Sequence, residues 1–170
     1  VREVEVELRQ GDGLQVLVPG EVDVVVIAGM GGARMVRLLE EGAAVVSGLR
    51  SLVLQPNTEW ALVRRWVAAR GFSLAREVMV EDRGKFYVVL DVRPQEHDTA
   101  AWSEGELELG PRLSSERPPA FLAWLRHELA RTERAAARVA GRGDPGATRP
   151  DVKLLAMRER AERLRHALGS

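Results

Sequence analysis

Cysteine is absent from the 170-residue chain. That excludes a disulfide framework, a thiolate metal site and a thiol nucleophile, and it suits a reducing, cytoplasmic setting. Lysine is nearly absent: Lys85 and Lys153 are 2 of the 25 basic residues. No apolar run approaches a membrane span and no signal-peptide pattern is visible, so no membrane is expected among the partners. His97, His127 and His166 lie at scattered positions, which argues against a metal site and fits structural or exposed roles. No pair of side chains stands out as a general acid and base. Net charge is zero, but unevenly spread: residues 1–111 carry 12 Lys/Arg against 18 Asp/Glu, and residues 112–170 carry 13 against 7. The asymmetry describes an acidic core with a basic appendage, a footprint of nucleic-acid contact. A solvated helical hairpin with arginines as surface filler would leave the same balance.

At 45% hydrophobic residues, the chain has enough apolar material for one core and an appendage. The organising stretch is Val22–Gly32. Val24, Val25, Val26 and Ile27 form a β-branched run, too short for a buried helix and typical of a parallel strand covered on both faces. Ala28, Gly29, Met30, Gly31 and Gly32 follow as a small-residue loop at the strand's carboxyl end, and Met35, Leu38 and Leu39 step on at helical spacing. Ligands of open α/β sheets bind in the crevice beyond the strands' carboxyl ends, where missing side chains let backbone come close. A tight strand-to-helix turn with glycines for packing is the plainer reading.

Upstream, Val4, Val6 and Leu8 alternate with Glu3, Glu5 and Glu7 as a half-exposed strand. A helical turn or two fits around Leu14–Val18, with Asp12 either capping it or meeting a polar ligand edge. Downstream, the helix after the glycines runs to about Val46. A short buried strand, Arg50–Leu54, ends in Gln55-Pro56-Asn57, where proline fixes the backbone and two amides offer donors and acceptors. Trp60, Val63, Val67 and Ala68 mark a helix stopping at Arg70-Gly71. Phe72–Glu81 and Lys85–Val92 read as an antiparallel pair. Leu122, Leu125, Leu129, Thr132, Ala136 and Val139 then form a heptad seam. Residues 141–150 break it, and Leu154, Met157, Ala161, Leu164 and Leu168 resume it. The pattern predicts an α/β domain over residues 1–110 and an antiparallel helical hairpin over 111–170. Arg126, Arg131, Arg134, Arg138, Arg158, Arg160, Arg163 and Arg165 lie off the seam, where they would grip phosphates; a docking or dimerising coiled coil is the other reading.

The order of elements resembles the second half of a class I, S-adenosylmethionine-dependent methyltransferase. The motifs resemble one family closely, the bacterial tRNA (adenine-22-N1)-methyltransferases of the TrmK type. The matching pieces are Gln10–Leu14 (QGDGL), Val24–Gly32 (VVVIAGMGG), Leu52–Asn57 (LVLQPN), Glu81–Tyr87 (EDRGKFY), Leu107–Leu113 (LELGPRL) and Trp124–Glu128 (WLRHE), in the family's order. The resemblance implies a partial Rossmann-like methyltransferase sheet, strands 3 to 7 of the order 3-2-1-4-5-7-6, with a C-terminal α-helical coiled-coil hairpin. Strands 1 and 2, with the loop that holds the cofactor's amino-acid end, would be missing. The chain, which begins at Val1, is therefore expected to be a fragment of a longer protein.

The resemblance also implies roles. Asp12 would accept from the adenine amine of S-adenosyl-L-methionine, with Gly13 and Leu14 beside it. Ala28, Gly29, Met30 and Gly31 would pass under the methyl donor and hold the target base, Ala28 and Gly29 orienting its N6 amine through their carbonyls. Asn57 would contact the base edge, so Ala28, Gly29 and Asn57 form the catalytic set. Methyl transfer to N1 of adenine uses the ring's own lone pair, so alignment supplies most of the catalysis. A flipped adenine also needs a surface to stack on; Met30, Trp60, Phe86 and Tyr87 are available, although the spacing of Trp60 suits the core. Pro56, Lys85, Tyr87, Arg126, Arg134 and Arg158 complete the candidate RNA contacts. The expected function is S-adenosylmethionine-dependent methylation of a tRNA, with a homodimer through the hairpin left open. The reading from another class is a non-catalytic RNA-binding or protein-interaction module.

Overall fold

A computed structural model describes residues 5–97, 101–141 and 152–169. Val4 and most of the expected seam break, residues 142–150, lie outside them. The chain divides into two compact units, residues 1–78 with 87–110 and residues 79–86 with 111–170.

The first unit is an α/β layer built on a mixed four-stranded sheet. The strands are β1 (Val24–Gly31), β2 (Ser51–Thr58), β3 (Phe72–Asp82) and β4 (Lys85–His97), in the spatial order β1-β2-β4-β3, and residues 79–86 of β3, its turn and β4 fall in the second unit. β1 and β2 are parallel, and β2 and β4 antiparallel. A parallel pair needs a crossover, which α1 (Gly32–Glu41) and α2 (Ala43–Ser47) supply, while α3 (Trp60–Ala69) joins β2 to β3. Val25 and Ile27 of β1, and Leu52 and Leu54 of β2, are buried at the two-residue period of a strand. Met35, Leu39, Val63 and Val67 are buried on the helices beside them. Each such side chain contributes about 1.5–3 kcal/mol by leaving water.

Four expectations need correction. β1 is not covered on both faces among the described residues, because Val24 and Val26 are 52% and 66% exposed. A β-branched run reports strand propensity and says nothing about what covers it. Residues 5–10 form no strand, and Val6 and Leu8 are exposed; alternation without a paired neighbour does not make one. The helix after the glycines breaks at Gly42, where a Cβ would lie 2.6 Å from the Leu14 Cβ, so the chain turns there to seat a buried leucine. Finally, the glycine stretch is not a loop leaving the strand, since β1 runs on to Gly31 and β2 on through Gln55-Pro56-Asn57 to Thr58.

The β3–β4 turn is two residues long, and Arg83 and Gly84 both have positive φ, 50° and 74°. That pair matches the right-handed twist of a hairpin. On α3, the Arg64 Nε donates to Glu77 Oε1 of β3 at 2.6 Å, and both side chains are fully buried. Arg64 Nη1 donates to the carbonyls of Leu107 and Glu108 at 3.0 and 2.9 Å. These belong to α4 (Glu104–Leu109). Burial pushes the guanidinium's pKa down, and the Glu77 carboxylate opposes that shift. Gly110 has φ 105°, and a Cβ there would meet Glu77 Oε2 at 2.7 Å. The LELG motif therefore closes over a buried ion pair.

α4 begins in a capping box: the Glu106 N–H donates to Ser103 Oγ, and Glu106 Oε2 accepts from the Ser103 N–H at 2.8 Å. The Ser103 backbone N–H, then its hydroxyl, hold the Glu106 carboxyl below the usual range. A depressed carboxyl pKa gives stability above the unfolded-state value that is lost as pH falls through the folded one. Ser103→Ala is expected to cost about 1 kcal/mol in urea unfolding at neutral pH, with a smaller difference in acid.

In the second unit, α5 (Pro111–Glu116) precedes α6 (Pro119–Ala140) and α7 (Val152–Leu168). α6 and α7 run antiparallel. Arg117 donates to the Ala167 carbonyl at one end, and Val139 and Lys153 line one groove at the other. Of the seam residues, Leu125, Thr132, Ala161 and Leu164 are buried.

Candidate active site at the ends of β1 and β2

Because β1 and β2 are parallel, their carboxyl ends lie side by side. The ladder runs in step from Val24 opposite Ser51 to Ala28 opposite Gln55; it then slips, so that Met30 faces Pro56 and Gly31 faces Thr58. Gly29, at φ 81°, is passed over on β1 and Asn57 on β2. Such bulges re-aim backbone beside sites. The Gly29 N–H donates instead to the Gln55 side-chain oxygen at 3.0 Å. In a planar trans peptide, that bond turns the Ala28 carbonyl to the opposite side. Gln55 Nε2 in turn donates to Asn57 Oδ1 at 3.1 Å. Gln55 thus engages the carbonyl side of the Asn57 amide and leaves the NH2 side as the donor for other partners. Ala28, Gly29 and Asn57 are all exposed. One glutamine thus contacts both strand ends.

A second pair of contacts ties the two strand ends together. Glu59 has φ 57°, a left-handed conformation, and its Oε2 accepts from the Ala33 N–H at 3.1 Å, in the first turn of α1. At Gly32 a Cβ would lie 2.7 Å from the Glu59 carbonyl oxygen and 2.9 Å from that of Thr58, so only glycine allows this approach. The Glu59 carboxylate thus sits at the amino end of α1, where the helix dipole favours negative charge.

The structure gathers some candidate residues and disperses others. Asp12 sits at the N-cap position of a short 3-10 turn, Gly13–Val16, with no side-chain cap bond, so the capping reading is corrected and its exposed carboxylate is uncommitted to that turn. A Cβ on Gly13 would lie 2.8 Å from Leu38 Cγ, which packs the backbone of the turn directly on α1. The Leu14 side chain is buried in the core, and Met30 is half-buried. Pro56 is buried too, and its carbonyl accepts from Trp60 Nε1 at 3.0 Å; the ring is therefore not an RNA-facing surface. That hydrogen bond also places Trp60, which is half-buried. Lys85 belongs to the second unit and Tyr87 to the first. Arg126, Arg134 and Arg158 are exposed on α6 and α7. Arg131 and Arg160 both donate to Glu128 Oε2, at 2.7 and 3.0 Å, and Arg165 to Glu133 at 2.5 Å, so Arg160 and Arg165 tie α7 to α6 while Arg131 pairs within α6. Sequence reasoning noted Gln55 only as an amide beside a proline and passed over Glu59. Their roles depend on which atoms the strand register sets opposite them.

His97 Nδ1 lies 3.1 Å from the Gly71 carbonyl, and the His127 ring meets Phe86 with centroids 5.7 Å apart. Among the described residues no group of three His, Cys, Asp or Glu is placed to hold a metal ion, and no helix is long and apolar enough to cross a membrane.

An open sheet with a bulged, glycine-lined site at the carboxyl ends of parallel strands defines the Rossmann-like α/β class. A Streptococcus agalactiae protein described as belonging to the NADB-Rossmann superfamily shares the fold at TM-score 0.78 and 24% identity, over 94% of this chain and 66% of that one. The family model TrmK, tRNA (adenine(22)-N(1))-methyltransferase, matches residues 2–157, and the chain belongs to this family. The Bacillus subtilis tRNA (adenine(22)-N(1))-methyltransferase is 36% identical over 157 residues, 90% of this chain. The match spans 66% of that relative's length. A Streptococcus pneumoniae protein solved in complex with S-adenosyl-L-methionine is 28% identical, with TM-score 0.78 over 94% of this chain and 67% of that one.

Proposed function

We propose that the chain carries the base-aligning site and the RNA-gripping helices of an S-adenosylmethionine-dependent tRNA (adenine-N1)-methyltransferase acting on adenine 22. The observation that carries this reading is the acceptor–donor pair that Gln55 orders at the ends of β1 and β2. Adenine offers the complementary pair on one edge, an N6 amine donor beside the N7 acceptor. With the Ala28 carbonyl on N6 and the Asn57 NH2 on N7, N1 is left uncovered and its lone pair available. Guanine would set its O6 against the Ala28 carbonyl, acceptor against acceptor. The cofactor supplies an electrophilic methyl group on a sulfonium. As the bond from N1 to that methyl forms, the bond to sulfur breaks; the neutral thioether leaves, and the methylated base loses a proton from N6. The chain need only align the base, which agrees with its lack of an obvious acid–base pair.

Asp12, beside Gly13 and Leu14, would hold the cofactor's adenine amine, while Gly29, Met30 and Gly31 line the approach to the methyl group. The sheet order β1-β2-β4-β3 supports its assignment to strands 4-5-7-6 of the methyltransferase order, and the antiparallel α6 and α7 support a coiled-coil hairpin.

The test is calorimetric titration of S-adenosylhomocysteine into the folded chain, followed by methyl transfer to an unmodified tRNA transcript. A micromolar dissociation constant is expected, weakened about tenfold by Asp12→Ala, as for loss of a hydrogen bond to a charged group. No heat from a folded chain that still binds RNA would leave the non-catalytic RNA-binding module as its function.

A further inference from the structure

Glu59 is at odds with its own helix. It occupies the N-cap position of α3 in a left-handed conformation, φ 57° and ψ 42°, and makes no side-chain cap there. An N-cap ordinarily has extended backbone, with Ser, Thr, Asp or Asn accepting from the first turn. A β-carbon makes the left-handed region costly, and Glu59 is exposed, so burial does not offset that cost. Its carboxylate serves another helix instead, Oε2 accepting from the Ala33 N–H at 3.1 Å. α1 cannot cap itself, because its N-cap is Gly31, which has no side chain. A Cβ on Gly31 would lie 3.2 Å from Thr58 Oγ1 and 3.7 Å from Glu59 Oε2, so the carboxylate reaches Ala33 past bare backbone. The contact also falls at a particular place in the ladder. The register of β1 on β2 slips after Ala28 opposite Gln55, and again between Met30 opposite Pro56 and Gly31 opposite Thr58. Gln55 ties the strands before the slips, through the Gly29 N–H, and Glu59 ties them after. Between the two ties lie Met30 and Asn57.

We propose that Glu59 is a positioning residue for methyl transfer, its bond to Ala33 fixing the spacing of Met30 from Asn57 and so that of the methyl donor from the base. This rests on the methyltransferase reading above, in which Met30 lines the approach to the methyl group and Asn57 holds the base edge. Glu59 acts through the backbone of Gly31 and Thr58 and takes no proton. A strained residue persists where its surroundings over-determine it, and here the return is a gap of set width between two strands whose own ladder has slipped.

The experiment compares Glu59→Ala, Glu59→Gly and Glu59→Gln with the parent in methylation of a tRNA transcript, S-adenosylhomocysteine titration and thermal melting. The first two lose the carboxylate alike, but glycine fits the left-handed backbone and alanine does not. Glu59→Gly should therefore melt above Glu59→Ala, while both show kcat lowered on the order of tenfold, with KM for tRNA and S-adenosylhomocysteine affinity unchanged. Glu59→Gln keeps an oxygen for the Ala33 N–H and should restore kcat to the parent value. Hydrogen exchange at the Ala33 amide should quicken in the first two variants and not in the third, whatever the turnover. A kcat that follows the melting temperature, or that stays at the parent value in all three, would overturn the inference and leave the methyltransferase reading standing. So would a low kcat in Glu59→Gln with slow Ala33 exchange, since the loss would then follow charge and not position. A folded parent chain that transfers no methyl group would overturn both.

Discussion

Glu77→Ala is expected to destabilise the first unit by about 3–5 kcal/mol, the cost of leaving one member of a buried ion pair without its partner. The Arg64 guanidinium cannot escape by losing its proton: burial lowers its pKa, but from so high that it stays charged at any working pH. Urea unfolding of the variant should show a lower midpoint with little change in slope. Replacing both residues, Arg64→Met with Glu77→Leu, removes the orphaned charge, and in many proteins that exchange is neutral or better. Here Arg64 also serves the Leu107 and Glu108 carbonyls, which would lose their donor at roughly 1–3 kcal/mol each where they stay buried. The double variant should therefore recover only in part. A Glu77→Ala chain within 1 kcal/mol of the parent would show that water reaches the pair.

Gln55→Leu is expected to lower the methyl-transfer rate on the order of a hundredfold, the usual cost of a displacement of about 1 Å at a reacting centre. S-Adenosylhomocysteine affinity should stay near the parent value, and stability within about 1 kcal/mol, because Gln55 is half-buried at the end of its strand. Gln55→Glu separates its two tasks. A carboxylate still accepts from the Gly29 N–H, so the Ala28 carbonyl keeps its direction, but it cannot donate to Asn57. The Asn57 amide then turns its NH2 to the carboxylate and shows its oxygen to the base. A loss nearer tenfold is expected from that one reversed contact. Hydrogen exchange at the Gly29 amide should quicken in Gln55→Leu and not in Gln55→Glu, a readout that does not depend on turnover. Equal rates for all three chains would remove Gln55 from the mechanism.

The sequence alone determined the α/β class and the helical C-terminal part, while the pairing of the glycine stretch with Gln55-Pro56-Asn57 was legible as a family resemblance. The class and the helical part follow from short-range regularities: strand and helix periods and a heptad repeat. The LELG motif was legible only as a resemblance, because the arginine it closes over lies 43 residues before Leu107. What the tertiary structure decided is polarity and pairing. The slip in register at Gly29 sets its N–H against Gln55, and from that single bond follow the direction of the Ala28 carbonyl and the side of Asn57 that meets a ligand. Val24 and Val26 have the composition of a covered strand face, yet their exposure depends on neighbours that the strand itself does not specify. The C-terminal arginines form one group when placed off a seam. Only the packing of α6 on α7 brings Arg160 and Arg165 to Glu128 and Glu133 across the pair, since charge pairing between helices depends on which faces meet.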